Sequence, residues 1–172
     1  MAKEVEVKIL EINVKKLKQI LKENKADLVM KKNLQKNYFY SSPEIEKKGV
    51  IRLRTNINGQ TIAIKSKLKF SKGHKIIKEF ETKIESAKEV MMGLEMLGFK
   101  QIGCVEVIRE DWKLFNCLIS LVRMPKIPYY VEIEGNKDNI LKVAKLFGYS
   151  ETDYYPKIIY DKYGIKTKFL RF

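Results

Sequence analysis

Apolar and polar residues alternate one by one along much of this chain. In MAKEVEVKIL, Val5, Val7 and Ile9 fall on one parity, with Glu4, Glu6 and Lys8 on the other. Successive strand residues point to opposite faces, so EVEVK predicts a strand with two carboxylates and an ammonium on one surface. The same period of two predicts strands in QKNYFYSS (ending at Pro43), GVIRLRT, QTIAIKSKL, IIKEFETKI, CVEVIREDWKL, NCLISLV and YYVEIEG. Asn58-Gly59 between two of these is a hairpin signal. The period changes to helical in three places. Val14, Leu17, Ile20 and Leu21 follow Asn13, a fitting N-cap. Ser86 and Glu89 make a capping box ahead of a helix stopped by Gly98. A third helix runs from about Lys137 to Phe147, between Asn136 and Gly148.

About eight strands joined mostly by short loops, with helices inserted between them, predict an α+β fold built on antiparallel pairs. Closing such a sheet removes its edges, so the expectation is a closed eight-stranded antiparallel barrel with flanking helices. No linker or repeat interrupts the 172 residues, which predicts a single domain over 1–172.

Composition narrows the partners. The chain is 45% hydrophobic and 33% charged, as in a soluble globular protein. No apolar run is long enough to span a bilayer and MAKEVEVK does not read as a leader, so a cytoplasmic protein without a membrane partner is expected. Cys104 and Cys117 lie in apolar strand surroundings and read as buried reduced thiols. The single histidine, His74, lies in SKGHK, a loop-like stretch, which excludes multi-histidine metal sites. A formal charge of +14 and a pI near 9.6 favour an anionic partner.

The charged parities narrow the chemistry further. Arg52 and Arg54 share a face, as do Lys65 and Lys67, Glu79 and Glu81, and Glu132 and Glu134, while Arg109 reads as alone in VIREDW. One such pair is ordinarily a wet sheet face with cross-strand ion pairs. Repetition on five strands changes that reading. If these faces turn inward, the lumen holds about six carboxylates and about six cations, which no structural core needs. A triphosphate with a hard divalent cation uses both signs, arginine and lysine on phosphate oxygens and carboxylates on the metal.

E-V-E-V-K at 4–8 resembles the E-x-E-x-K signature of the CYTH family, the triphosphate tunnel metalloenzymes. The resemblance continues through QKNYFY, IRLRT, IAIKSK, KEFETKI, the helix ending LGF, VIREDW and VEIEG, and it covers nearly the whole chain. Size and the QKNYFY stretch are most similar to the class IV adenylate cyclase branch. The resemblance implies an eight-stranded β-tunnel, with Glu4, Glu6, Glu132 and Glu134 as carboxylates for Mg²⁺ or Mn²⁺. It implies that Lys8, Arg52, Arg54, Lys65 and Arg109 grip the triphosphate, Lys8 and Arg109 at the reacting centre. Glu79 and Glu81 would line the tunnel, and Lys67 would join the phosphate-facing lysines.

The implied reaction is ATP to cyclic AMP and pyrophosphate, with hydrolysis of inorganic, thiamine or nucleoside triphosphates as the alternative. A non-catalytic polyphosphate or nucleotide binder is a third reading, and related cyclases imply a homodimer. Nucleic acid is not the expected partner. Three positions depart from the family pattern. Val107 stands where relatives carry lysine, no acid occurs between Ser120 and Tyr130, and Ile159 precedes Tyr160 where a serine is usual. Tyr38, Phe39, Tyr129 and Tyr130 are better read as core than as base-stacking groups, and Trp112 as packing.

Overall fold

A computed structural model of the chain describes residues 2–66, 69–71 and 74–172, and the side chains of all of these except 2–4, 69–71 and 74–77. Lys67 therefore lies outside the described residues, and the Glu4 side chain outside the described side chains. In chain order the elements are β1 (Ala2–Ile9), α1 (Val14–Glu23), β2 (Asp27–Ser41), α2 (Pro43–Glu46), β3 (Gly49–Asn56) and β4 (Gly59–Ser66). They continue as β5 (Lys69–Ser71), β6 (His74–Ile84), α3 (Ala87–Met96), β7 (Lys100–Leu114), β8 (Cys117–Met124) and β9 (Ile127–Glu134). Last come α4 (Lys137–Leu146), a single 3-10 turn, α5 (Ile159–Lys162) and β10 (Phe169–Leu170).

All the strands belong to one curled sheet ordered β1-β9-β8-β7-β2-β3-β4-β6-β5, antiparallel throughout except that β10 runs parallel to β7. Eight are long. β5 and β10 are additions of three and two residues. β1 pairs with β9, and it also pairs with β6, with Ala2 opposite Glu79 and Glu6 opposite Lys75. Asn56 and Gly59 close the β3–β4 hairpin at the Asn58-Gly59 signal. His74 is not in a loop: it opens β6 opposite Ser71. β2 begins well before the expected QKNYFYSS. The stretch DLVMKKN joins it, because β7 offers a long partner, and irregular register at Leu28–Asn33 accommodates a sequence with no clean alternation.

The apolar parity faces outward beneath the helices. Val7, Ile9, Trp112, Leu121, Val131 and Ile133 are buried in one cluster with Leu17 and Leu21 of α1 and Ile140, Val143 and Ala144 of α4. Asn13 and Asn136 cap these helices, each side chain accepting the amide three residues on. A smaller cluster seats α3 against Tyr40, Ile51 and Leu53. Ser86 likewise accepts the Glu89 amide, and Gly98 stops α3 at φ 84°. Cys104 and Cys117 are free and buried, as their surroundings implied. No described helix is long and apolar enough to cross a membrane. The helices cover most of the apolar side, Ile64 and Phe80 of β4 and β6 remaining exposed, and the charged parity is left to the concave face.

Candidate functional site

The register lines up the charged residues of neighbouring strands. On one side of the concave face Lys8 stands opposite Glu132 and Glu6 opposite Glu134, while Glu132 in turn faces Ser120. Ser120 faces Asp111 across the β7–β8 pair. The Lys8 ammonium pairs with Glu6 and lies 3.4 Å from Glu132 Oε1. Arg109 fans over the same rows. Its Nε donates to Asp111 Oδ1 at 2.7 Å, one Nη to Glu132 Oε2 at 3.2 Å and the other to Ser120 Oγ at 2.6 Å. Glu132 thus uses its two oxygens on two different cations. Burial by itself lowers the proton affinity of both Lys8 and Arg109. The Glu132 carboxylate, helped by Glu6 for Lys8 and by Asp111 for Arg109, outweighs that, and both cations are held above their ordinary values.

The other side is built by β3, β4 and β6. Arg52 donates to Glu79 at 2.8 Å and to Glu81, and Lys65 pairs with Glu79, its register partner. Arg54 is served less well. Its nearest carboxylate oxygen, on Glu81, is 3.6 Å away. Burial, then the neighbouring Arg52 guanidinium, push its pKa down to about 10, with Arg109 adding to the effect. Among the described residues, Arg52 Nε, Arg54 Nε and Thr61 Oγ1 are buried with no hydrogen-bond partner. Thr61 is the register partner of Arg54, so these orphaned groups lie together. A buried donor left unpaired costs about 1–3 kcal/mol. Of the three arginines on this concave face, Arg52 and Arg54 keep an unused N–H, an arrangement that suits an anion.

The carboxylates offer hard oxygen donors. Glu6, Glu132 and Glu134 occupy adjacent positions on β1 and β9, which suits a cation of the Mg²⁺ or Mn²⁺ type. In this arrangement Glu6 and Glu132 are turned onto Lys8 and Arg109, and among the described residues no three acids converge on one metal position. The fit is one of chemistry and placement.

All the site residues expected from sequence whose side chains are described, Glu6, Lys8, Arg52, Arg54, Lys65, Glu79, Glu81, Arg109, Glu132 and Glu134, share this inner parity. Arg109, however, does not stand alone on its strand. Asp111, two residues on, shares its face and brings a carboxylate to the Ser120 row, in a sheet region where β8 and its turn into β9 carry none. Gln35, Asn37 and Ser120 also reach the concave side as buried polar groups that sequence reading passed over. The alternation of Gln35 and Asn37 with Leu34 and Tyr38 was the available signal. Tyr130 and Phe39 pack in an apolar cluster, Tyr38 and Tyr129 in two others, and Trp112 donates to Glu110 Oε1 at 2.8 Å, so the aromatics serve packing. Val107 is likewise buried in that first cluster, so no cation takes the place of the family's lysine there.

Comparison with known proteins accords with this geometry. A family model described as CYTH domain matches residues 2–157. No curated protein matches the chain. Among solved structures, the PH1012 protein of Pyrococcus horikoshii OT3 is 25% identical, with a TM-score of 0.76 over 92% of this chain and 98% of that one. A candidate adenylate cyclase from Vibrio parahaemolyticus is 17% identical, with a TM-score of 0.79 over 92% and 95% of the two chains. A candidate adenylyl cyclase from Hippeastrum, described as having a dominant triphosphatase activity, is 16% identical, with a TM-score of 0.61 over 90% of each.

Proposed function

The chain belongs to the CYTH domain family, and from that premise we propose that it is a metal-dependent enzyme acting on triphosphates, closest to a class IV adenylate cyclase. In this reading the two pairings of β1 close the sheet into a tunnel, residues 1–172 work as one domain, and the reaction takes ATP to cyclic AMP and pyrophosphate. The observation that carries it is the concave face shared by Arg52, Arg54 and Arg109, on which Arg54 is under-neutralised and the Nε–H groups of Arg52 and Arg54 are buried without partners. The second reading is a triphosphatase, favoured by Ile159 in place of the family's serine and by the activity described for the Hippeastrum protein.

Arg52, Arg54 and Lys65 take the terminal phosphates, and Lys8 and Arg109 lie nearer the reacting phosphorus. Bound Mg²⁺ or Mn²⁺ supplies charge neutralisation on the phosphate oxygens and a lowered pKa for the attacking hydroxyl. For the cyclase, the ribose 3′-oxygen loses its proton and bonds to the α-phosphorus as the bond to the departing pyrophosphate breaks. For the triphosphatase, water instead bonds to the terminal phosphorus as the bond to the bridging oxygen breaks, giving orthophosphate and the departing diphosphate. Preorganised cations that meet the charge on the leaving phosphates supply most of the barrier reduction in either case. Tyr160, which burial and then Glu132 push up to about 12, stays protonated at neutral pH and serves as a donor rather than a base.

The pairing pattern also couples the two ligands. Lys8 and Arg109 now occupy Glu6 and Glu132. A triphosphate that takes those cations releases the carboxylates for a divalent ion. Glu4→Gln and Glu132→Gln are each expected to lose turnover and its dependence on Mg²⁺ or Mn²⁺ in a metal titration of activity. Unchanged activity in both variants contradicts the reading.

A further inference from the structure

The cage uses the inner parity of β7, Arg109 and Asp111. The outer parity, Ile108, Glu110 and Trp112, faces the side on which α1 packs. Glu110 is a buried carboxylate there, on a parity that is otherwise apolar or aromatic. Both its oxygens are taken. Lys18 of α1 donates to Oε2 at 2.7 Å, and the Trp112 indole donates to Oε1 at 2.8 Å.

Beside this group lies a pocket of about 130 Å³ between α1 and the sheet. Val14, Ile108, Leu121 and Tyr129 give it an apolar lining. Three charged groups join them: Glu110, Lys18 and Lys32. Lys32 comes from an irregularity in β2. Met30 pairs with Asp111 and Asn33 with Arg109, so Lys31 and Lys32 together stand against Glu110 alone. Among the described residues Lys32 has no ion-pair partner. Two ammonium groups against one carboxylate leave a single positive charge over. That balance matches a monoanion, whereas a phosphate dianion would bring a second negative charge up to Glu110. A cavity of about 150 Å³ admits benzene, so this one takes a ligand of about six non-hydrogen atoms.

We propose that this pocket is a second binding site, for a small monocarboxylate with a compact apolar body. The carboxylate meets Lys32, and the apolar body lies on Val14, Ile108, Leu121 and Tyr129. The site is separate from the cage. Glu110 stands between Arg109 and Asp111 along β7 but on the opposite face, so the two sites can be filled together. It stands whether or not the cage takes a triphosphate.

The molecule carries its own reporter. Trp112 is the one tryptophan of the chain, and its indole N–H is bonded to Glu110 at the pocket. The test titrates the protein with isobutyrate, isobutanol and inorganic phosphate at neutral pH and fixed ionic strength, following the indole N–H resonance by NMR. Isobutyrate is expected to give a saturable shift, with isobutanol and phosphate each binding at least about tenfold more weakly. Lys32→Gln, an exposed substitution, is expected to weaken isobutyrate about tenfold. Val14→Phe, at a half-buried position, fills the pocket and is expected to abolish the shift, its melting temperature checking that it folds. The shift is expected to persist in saturating tripolyphosphate with Mg²⁺. No saturable shift, equal binding of isobutanol or phosphate, indifference to Lys32→Gln, or displacement of isobutyrate by tripolyphosphate overturns the proposal.

Discussion

Arg54 concentrates the tension in the site. A guanidinium whose folded pKa is depressed below its unfolded value carries a cost that is fully present below about 10 and fades as pH rises toward the ordinary arginine value. At neutral pH the ligand-free protein bears that cost, and a bound polyanion relieves it. Arg54→Met is therefore expected to leave the ligand-free melting temperature unchanged or raised, while abolishing the upward shift that tripolyphosphate gives the parent. A lowered ligand-free melting temperature would show that Arg54 serves stability instead. The parity of Arg52 and Arg54 was plain in IRLRT, because both alternate with buried apolar residues. Asp111 was harder to see, since it stands beside Trp112 and Glu110 in a run of three polar or amphipathic residues. Which of Glu110 and Asp111 shares the inner face follows from counting from Arg109, and only the register shows that Asp111 meets Ser120.

At the scale of elements, two features position the site without touching it. Gly49 lies so close to β4 that a Cβ there would sit 2.1 Å from the Lys65 carbonyl oxygen. Gly49→Ala must push β4 away and Lys65 with it, at a cost of about 1–3 kcal/mol, read from urea unfolding. The second feature is the C-terminal strand. The Phe172 amide donates to Glu106 Oε2 at 3.0 Å, and this bond, with Lys36 in support, holds the Glu106 carboxyl below its ordinary value. A depressed carboxylate stabilises above its unfolded pKa and loses that contribution as pH falls through the lower folded value. Hydrogen exchange at Phe169–Leu170 is expected to speed up as pH falls through that window, after correction for intrinsic exchange rates. Glu106→Gln should show the faster exchange already at neutral pH. Helix caps and the Asn-Gly hairpin were legible because each is a local chemical requirement. The early start of β2 was not, since long-range pairing with β7 decides it, nor was the strand position of His74, which its local pairing with Ser71 of β5 sets.

For the whole molecule, the charge of +14 pointed to an anion without saying which. What makes the positive charge specific is placement, with most of the apolar parity committed to three helices and the charged parity left to the concave face. That division was readable from the period of two. The packing of α5 and β10 was not, because it depends on the apolar cluster they join and on the β7 edge that β10 pairs with. The coupling between ligands belongs to this scale too. Mg²⁺ alone is expected to shift the melting temperature little, and Mg²⁺ with tripolyphosphate more than the sum of the two separate shifts. Simple additivity would mean that the carboxylates and cations act as independent sites.

The central claim is metal-dependent action on a triphosphate, and phosphorus NMR of the protein incubated with ATP, thiamine triphosphate or tripolyphosphate tests it most directly. With Mg²⁺ or Mn²⁺ the account predicts cleavage of at least one of the three, as cyclic AMP with pyrophosphate or as released orthophosphate, and none with EDTA. Intact triphosphates in every metal, or cleavage indifferent to EDTA, would contradict it.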